Sequence, residues 1–170
     1  MNYTDLKADI QDICENTFTD AQLALFTDQA EQKIYNSVQI PALRRNVTGS
    51  MTSGNRFLAV PSDFLYTYSL SVISSAGVHT FLLNKDVNFM REAFPNPATT
   101  GTPTHYAYFS DTSFLVGPTP SSALDTELHY GYYPESIVTA GTTWLGDEFD
   151  SALLNGALIE AIRFMKGEPE

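Results

Sequence analysis

The sequence predicts an α+β fold: a helical bundle drawn from both chain ends, with a small antiparallel β barrel or sandwich inserted between them. Two observations predict it. Apolar residues recur every three to four positions over residues 1–42 and 144–170, the period of a helix with one buried face. Across residues 43–143 they alternate with polar residues in short runs, separated by clusters of Gly, Pro, Ser and Thr. The two ends are thus expected to form the bundle and the middle a β-rich insert, in one cooperative unit.

Each element has its own signal. Tyr3, Leu6, Ile10, Ile13 and Cys14 make one apolar stripe, which predicts a first helix with Cys14 as a small buried side chain. Thr19 stands three residues before Gln22, the spacing of a capping box, and Phe18 and Leu23 flank it as a hydrophobic staple. Leu23, Phe26, Ala30, Ile34 and Val38 form the buried face of that second helix, with Asp28, Glu31 and Gln32 expected in water. Pro41 ends it, because proline lacks the amide a helix needs.

The period then shortens. RRNVTGSMTSGNRFLAVP reads as two strands and a Gly/Ser/Thr loop, LYTYSLSVIS as a third strand, and VHTFLLN as a fourth after the Ala76-Gly77 turn. Val87, Met90 and Phe94 predict a short helix, and PNPATTGTP a loop. HYAYF and SFLVGP read as a hairpin turning at Ser110-Asp111-Thr112 and stopping at a Gly-Pro-Thr-Pro corner. In ALDTELHYGYYP, Leu124, Thr126, Leu128 and Tyr130 share one face, and Asp125, Glu127 and His129 the other. Six or seven short strands result. The last segment reads as one helix capped at Gly146-Asp147. Its apolar residues, Leu153 to Met165, spread round most of the circumference and predict burial on several sides. At Asn155-Gly156-Ala157 it is narrow enough for a neighbouring backbone to come close.

Composition excludes several function classes. The 170 residues are 43% hydrophobic, enough for a core. No run of roughly 18 or more apolar residues predicts a membrane helix, and MNYTDLKADI has no signal-peptide pattern, so folding in a cytoplasm is expected. The single cysteine, Cys14, has no internal disulfide partner. Twenty acidic residues against nine basic ones give a net charge of −11. Such a chain does not grip nucleic acid by its phosphates; the acidic balance is first a means of solubility, although an acidic wall also lets DNA slide past.

Motifs for chemistry are missing. The sequence has no phosphate-binding loop, no H-E-x-x-H and no G-x-S-x-G. His79, His105 and His129 lack paired metal-ligand spacing, and Asp125 and Glu127 share a strand where glycoside hydrolysis needs facing carboxylates. No catalytic, metal or cofactor residue is expected. Tyr106, Tyr108, Tyr130, Tyr132 and Tyr133 are dense enough to suggest a carbohydrate- or peptide-binding β module, but their strand spacing also suits core packing. Asn46-Val47-Thr48 matches a glycosylation acceptor by chance. Arg44-Arg45, the sole adjacent basic pair, is the candidate for phosphate contacts or for a subunit interface with an acidic neighbour.

The order and spacing of the motifs carry a resemblance. A YxxLxxxI start, then PALRRNVTGS, PSDFL, FMREAFPNP, GTPTHYAYF, FLVGPTP, ELHYGYYPESIV and TTWLGDEFDSALLNGALIEAIRFMKGE together resemble the head-to-tail adaptor (connector) proteins of tailed bacteriophages, over about residues 3–168. The resemblance implies a structural protein, not an enzyme, made in the host cytoplasm and placed at the head-tail junction of the virion. It implies a homo-oligomeric ring of about twelve copies between the portal protein and a tail, nozzle or tail-terminator protein, with DNA passing through without specific binding and no membrane contact. Adaptors of this kind commonly continue beyond the last helix; here the sequence reads Lys166-Gly167-Glu168-Pro169-Glu170, and no portal-insertion contacts are carried over.

Overall fold

The computed structural model describes residues 1–166. It is α+β, with two compact units: Met1–Ala42 together with the chain from Pro134 onward, and Leu43–Tyr133. The sequence put the return from the β-rich part at residue 144. The structure puts it at 134, because Pro134–Thr143 carry a short helix that packs on the second helix of the first unit.

The helical unit contains α1 (Tyr3–Cys14), α2 (Asp20–Ser37), α4 (Ile137–Ala140), α5 (Trp144–Glu148) and α6 (Asp150–Lys166); α3 belongs to the other unit. The start of α2 is built as its sequence predicts. The Thr19 hydroxyl accepts from the Gln22 amide, the Gln22 side chain accepts from the Thr19 amide, and Phe18 and Leu23 are buried. Leu6, Ile10, Leu23, Phe26, Ala30, Leu153, Ala157 and Ala161 supply buried surface from α1, α2 and α6. Gly156 permits a close approach of α6 to α2: a Cβ there would stand 3.0 Å from the Ala30 Cβ, as the narrow stretch of sequence anticipates.

Four helical expectations change, the first at Val38, which caps the end of α2 and is 50% exposed instead of lying on its buried face. Ile13 lies 57% exposed at the end of α1, and Cys14 is half-buried, its thiol raised above the ordinary value by desolvation. The last segment is two helices. Thr143 caps α5 through its hydroxyl, and the chain breaks at Phe149, whose carbonyl accepts from the Ala152 and Leu153 amides. Gly146 serves close approach and not capping, since a Cβ there would meet the Met1 carbonyl oxygen at 2.6 Å. Glu31, expected in water, is 2% exposed.

The second unit holds ten strands and α3 (Val87–Ala93) among its described residues. One sheet is ordered β1 (Arg44–Met51), β10 (Leu124–Tyr132), β3 (Phe64–Ile73) and β4 (His79–Phe81), all antiparallel. The other is ordered β2 (Phe57–Ala59), β8 (Ser113–Gly117), β7 (His105–Ser110) and β5 (Leu83–Asn84), with β5 parallel to β7. A two-residue parallel pair joins β6 (Thr100–Gly101) to β9 (Thr119–Pro120). The sheets stay open and close no barrel. Leu70, Val72, Leu82, Tyr106, Phe114, Val116, Leu128 and Tyr130 form the core between them.

VHTFLLN, one strand by its pattern, switches sheets at Leu82. The Leu82 amide donates to Leu70 in the first sheet, and the Leu83 amide to Thr104 beside the second. The 105–117 hairpin and the facing of Leu124 to Tyr130 hold. At the following corner the Gly117-Pro118 bond is cis, and Gly117 lies against Phe94 and Met90, leaving no room for a Cβ.

Candidate interaction surfaces

Arg44 and Arg45 begin β1, an edge strand exposed along most of its length. Consecutive residues of a strand project to opposite faces, so the two guanidinium groups cannot pinch one phosphate. Arg44 lies over the Tyr68 ring, 4.2 Å from its centre, and makes no ion pair among the described residues. Arg45 lies 3.9 Å over Tyr132 and donates to the Asp63 carboxylate at 2.7 Å, where the Tyr130 hydroxyl also donates. The structure therefore separates the pair: both are exposed, but Arg45 is ion-paired to Asp63 while Arg44 has no ion pair among the described residues.

Arg44 heads an aromatic cluster that the sequence reading did not single out. Tyr66 and Tyr68 join hydroxyl to hydroxyl at 3.3 Å, and Tyr68 packs 5.2 Å from His129. Desolvation, with the Tyr68 hydrogen bond added, pushes Tyr66 up to about 12. The Tyr66 hydrogen bond and Arg44 hold Tyr68 below the ordinary phenol range. The available signal was alternation: Tyr66 and Tyr68 occupy one face of LYTYSLSV. Tyrosine and arginine in such a cluster are the residue types that carry most binding energy in protein interfaces.

The other candidates disperse. His79 faces Ser71 and Glu127, His105 sits against Thr104, Phe89 and Phe94, and His129 against Tyr68. Among the described residues no group of three His, Cys, Asp or Glu side chains is placed to hold a metal. Tyr106 and Tyr130 are core residues, their hydroxyls raised above the ordinary range chiefly by desolvation, so the five tyrosines make no continuous platform.

The helical unit bears bare apolar surface on its last helix. Ile159, Ile162 and Met165 of α6 are 39–51% exposed, while the half-exposed Phe164 packs against Phe18 and Phe26 on the covered side. The sequence pattern predicted burial on several sides, but the chain's own helices cover only the side bearing Leu153, Ala157 and Ala161. Elsewhere in this unit, Ile34, Val38, Pro41, Trp144, Phe149 and Ala152 line an apolar groove of about 350 Å³. Trp144 and Phe149 pack at 5.1 Å along it. No helix among the described residues is long and apolar enough to cross a membrane.

An arginine–tyrosine cluster across three strands of one sheet and an uncovered apolar helix face are surfaces of the kind that other chains contact. The chain belongs to the SU10 adaptor protein family, whose model matches residues 1–170. It is a phage adaptor with a structural role. No curated protein matches the chain.

Proposed function

We propose that this adaptor forms a closed ring of about twelve copies at the head-tail junction of the virion, joining the portal protein to a tail, nozzle or tail-terminator protein and extending the DNA channel. The family match over the whole chain carries the reading. The bare face of α6 and the apolar groove support it, since contiguous exposed apolar surface marks sites of contact. The charge of −11 and the separation of Arg44 from Arg45 suit a channel wall that DNA passes without being held.

Twelve copies at −11 repel one another, and association also costs translational and rotational freedom. The protein is therefore expected to be a monomer in dilute solution and to assemble on a portal template. Electron microscopy of purified protein mixed with portal tests this. The expected image is a closed ring around a central hole whose wall is mainly acidic. A bore lined mainly by lysine and arginine contradicts the channel reading, and portal particles without a ring overturn the function.

A further inference from the structure

We infer that the C-terminal half of α6 of one copy seats in the apolar groove of a second copy, the groove between the end of α2 and the α5–α6 corner. This rests on the assembly reading above and names the contact that would close the ring.

Both halves of the contact are present in the helical unit. The donor half is the side of α6 bearing Ile159, Ile162 and Met165, which are 51%, 40% and 39% exposed. At 100° per residue this side lies away from Leu153, Ala157 and Ala161, which the chain's own helices cover. The acceptor half is the groove, about 350 Å³ with an almost wholly apolar lining. Val38 and Phe149 on its rim are 50% and 52% exposed.

The two halves cannot satisfy each other within one copy. Ala152 lines the groove and Ile162 lies on the donor side of the same helix, about 15 Å along its axis. A rigid helix does not fold back on its own first turn. The complement must come from another molecule.

Charge selects a second copy as that molecule. Glu148 and Asp150 stand beside the groove, as does Asp147, whose side chain is 58% exposed and lies 4.0 Å from the Met1 amino group. Arg163 and Lys166 stand beside the donor face; the Arg163 side chain is 67% exposed and also lies 3.4 Å from the Glu160 carboxylate. Opposite charges at opposite ends of a helix also suit its dipole, which accounts for their sign but not for the uncovered apolar side. In a chain where acids outnumber bases twenty to nine, the basic end of α6 is the complement its own acidic corner fits. Different patches meeting head to tail give a heterologous contact, the kind that generates rings, and a helix laid in an apolar groove is a recurrent mode of docking.

The test is ring formation on the portal, read by electron microscopy, with folding checked by circular dichroism. Reversing the groove charges (Glu148→Lys with Asp150→Lys) or the donor charges (Arg163→Glu with Lys166→Glu) is expected to cut ring occupancy by about tenfold or more. The variant carrying all four substitutions is expected to recover most of it. Ile159→Asp with Ile162→Asp, at exposed positions that leave the core untouched, is expected to abolish rings in a folded protein. If the wild type forms rings and these variants do so equally well, or if the fourfold variant is no better than the twofold ones, this contact is overturned while the ring reading stands. If the wild type forms no ring, both fall.

Discussion

Glu31 is a buried carboxylate with one clear duty. Its Oε1 accepts from the Ile137 amide at 3.0 Å, fixing the start of α4 against α2, while Ser136 donates to the neighbouring Asp28. Desolvation raises the Glu31 pKa above the usual carboxylate range, and the nearby Ser136 hydroxyl and the Ile137 amide pull it only partly back. In the window between the unfolded value and the raised one, the folded chain binds more protons than the unfolded chain. Stability from this group is therefore full at acid pH and falls as pH rises through that window. Glu31→Gln keeps an acceptor for the Ile137 amide and removes the slope, so its stability relative to wild type should improve between about pH 4 and pH 7. Glu31→Ala leaves the amide buried without a partner and should cost about 1–3 kcal/mol. Urea unfolding of the three proteins at both pH values checks this; a Gln variant whose difference from wild type does not change with pH contradicts it. Sequence pattern placed Glu31 in water because it falls among Asp28 and Gln32. The partner that buries it lies 106 residues away, beyond the reach of any local period.

Elements whose causes are local were the legible ones. The start of α2 is written in five residues, Phe18 to Gln22 with Leu23 behind, and the box forms as written. Thr19→Ala should cost about 1 kcal/mol, read as a lower denaturant midpoint with unchanged slope; no change would show that the Gln22 side chain alone satisfies the first turn. The faces of β10 and the 105–117 hairpin were legible for the same reason, since alternation fixes a strand's facing. Strands of two residues, such as β6 and β9, carry no period and went unseen, and β5 was read as one strand with β4. The break at Phe149 was invisible because apolar spacing runs through it from Leu145 to Leu153. The candidate surface divides likewise. Arg44 and Arg45 were visible as a basic pair, but their separation needed the strand, and the Tyr66–Tyr68 cluster needed the sheet.

At the scale of the molecule, net charge and apolar surface oppose each other. Without portal, repulsion at −11 should keep copies apart at low ionic strength. At about 1 M salt the screening length falls to roughly 3 Å, while burial of Ile159, Ile162 and Met165 is not screened. Self-association measured by light scattering should therefore rise with salt. A fall would mean that paired charges between copies outweigh the overall repulsion. The α+β class was legible from two periods. That the helical side of the exposed surface stays bare was not, because an apolar helix reads the same whether its own chain or another covers it.

The helical unit is assembled from the two ends of the chain, and this sets a schedule for its synthesis. Leu6, Ile10, Leu23 and Phe26 leave the ribosome first, yet Leu153, Ala157 and Ala161 emerge only after every strand has been made. At about 5–20 residues per second the delay is on the order of ten seconds. Throughout it the two leading helices are greasy and unmatched, so a nascent chain halted before Asp150 is the form of this protein most in need of a chaperone.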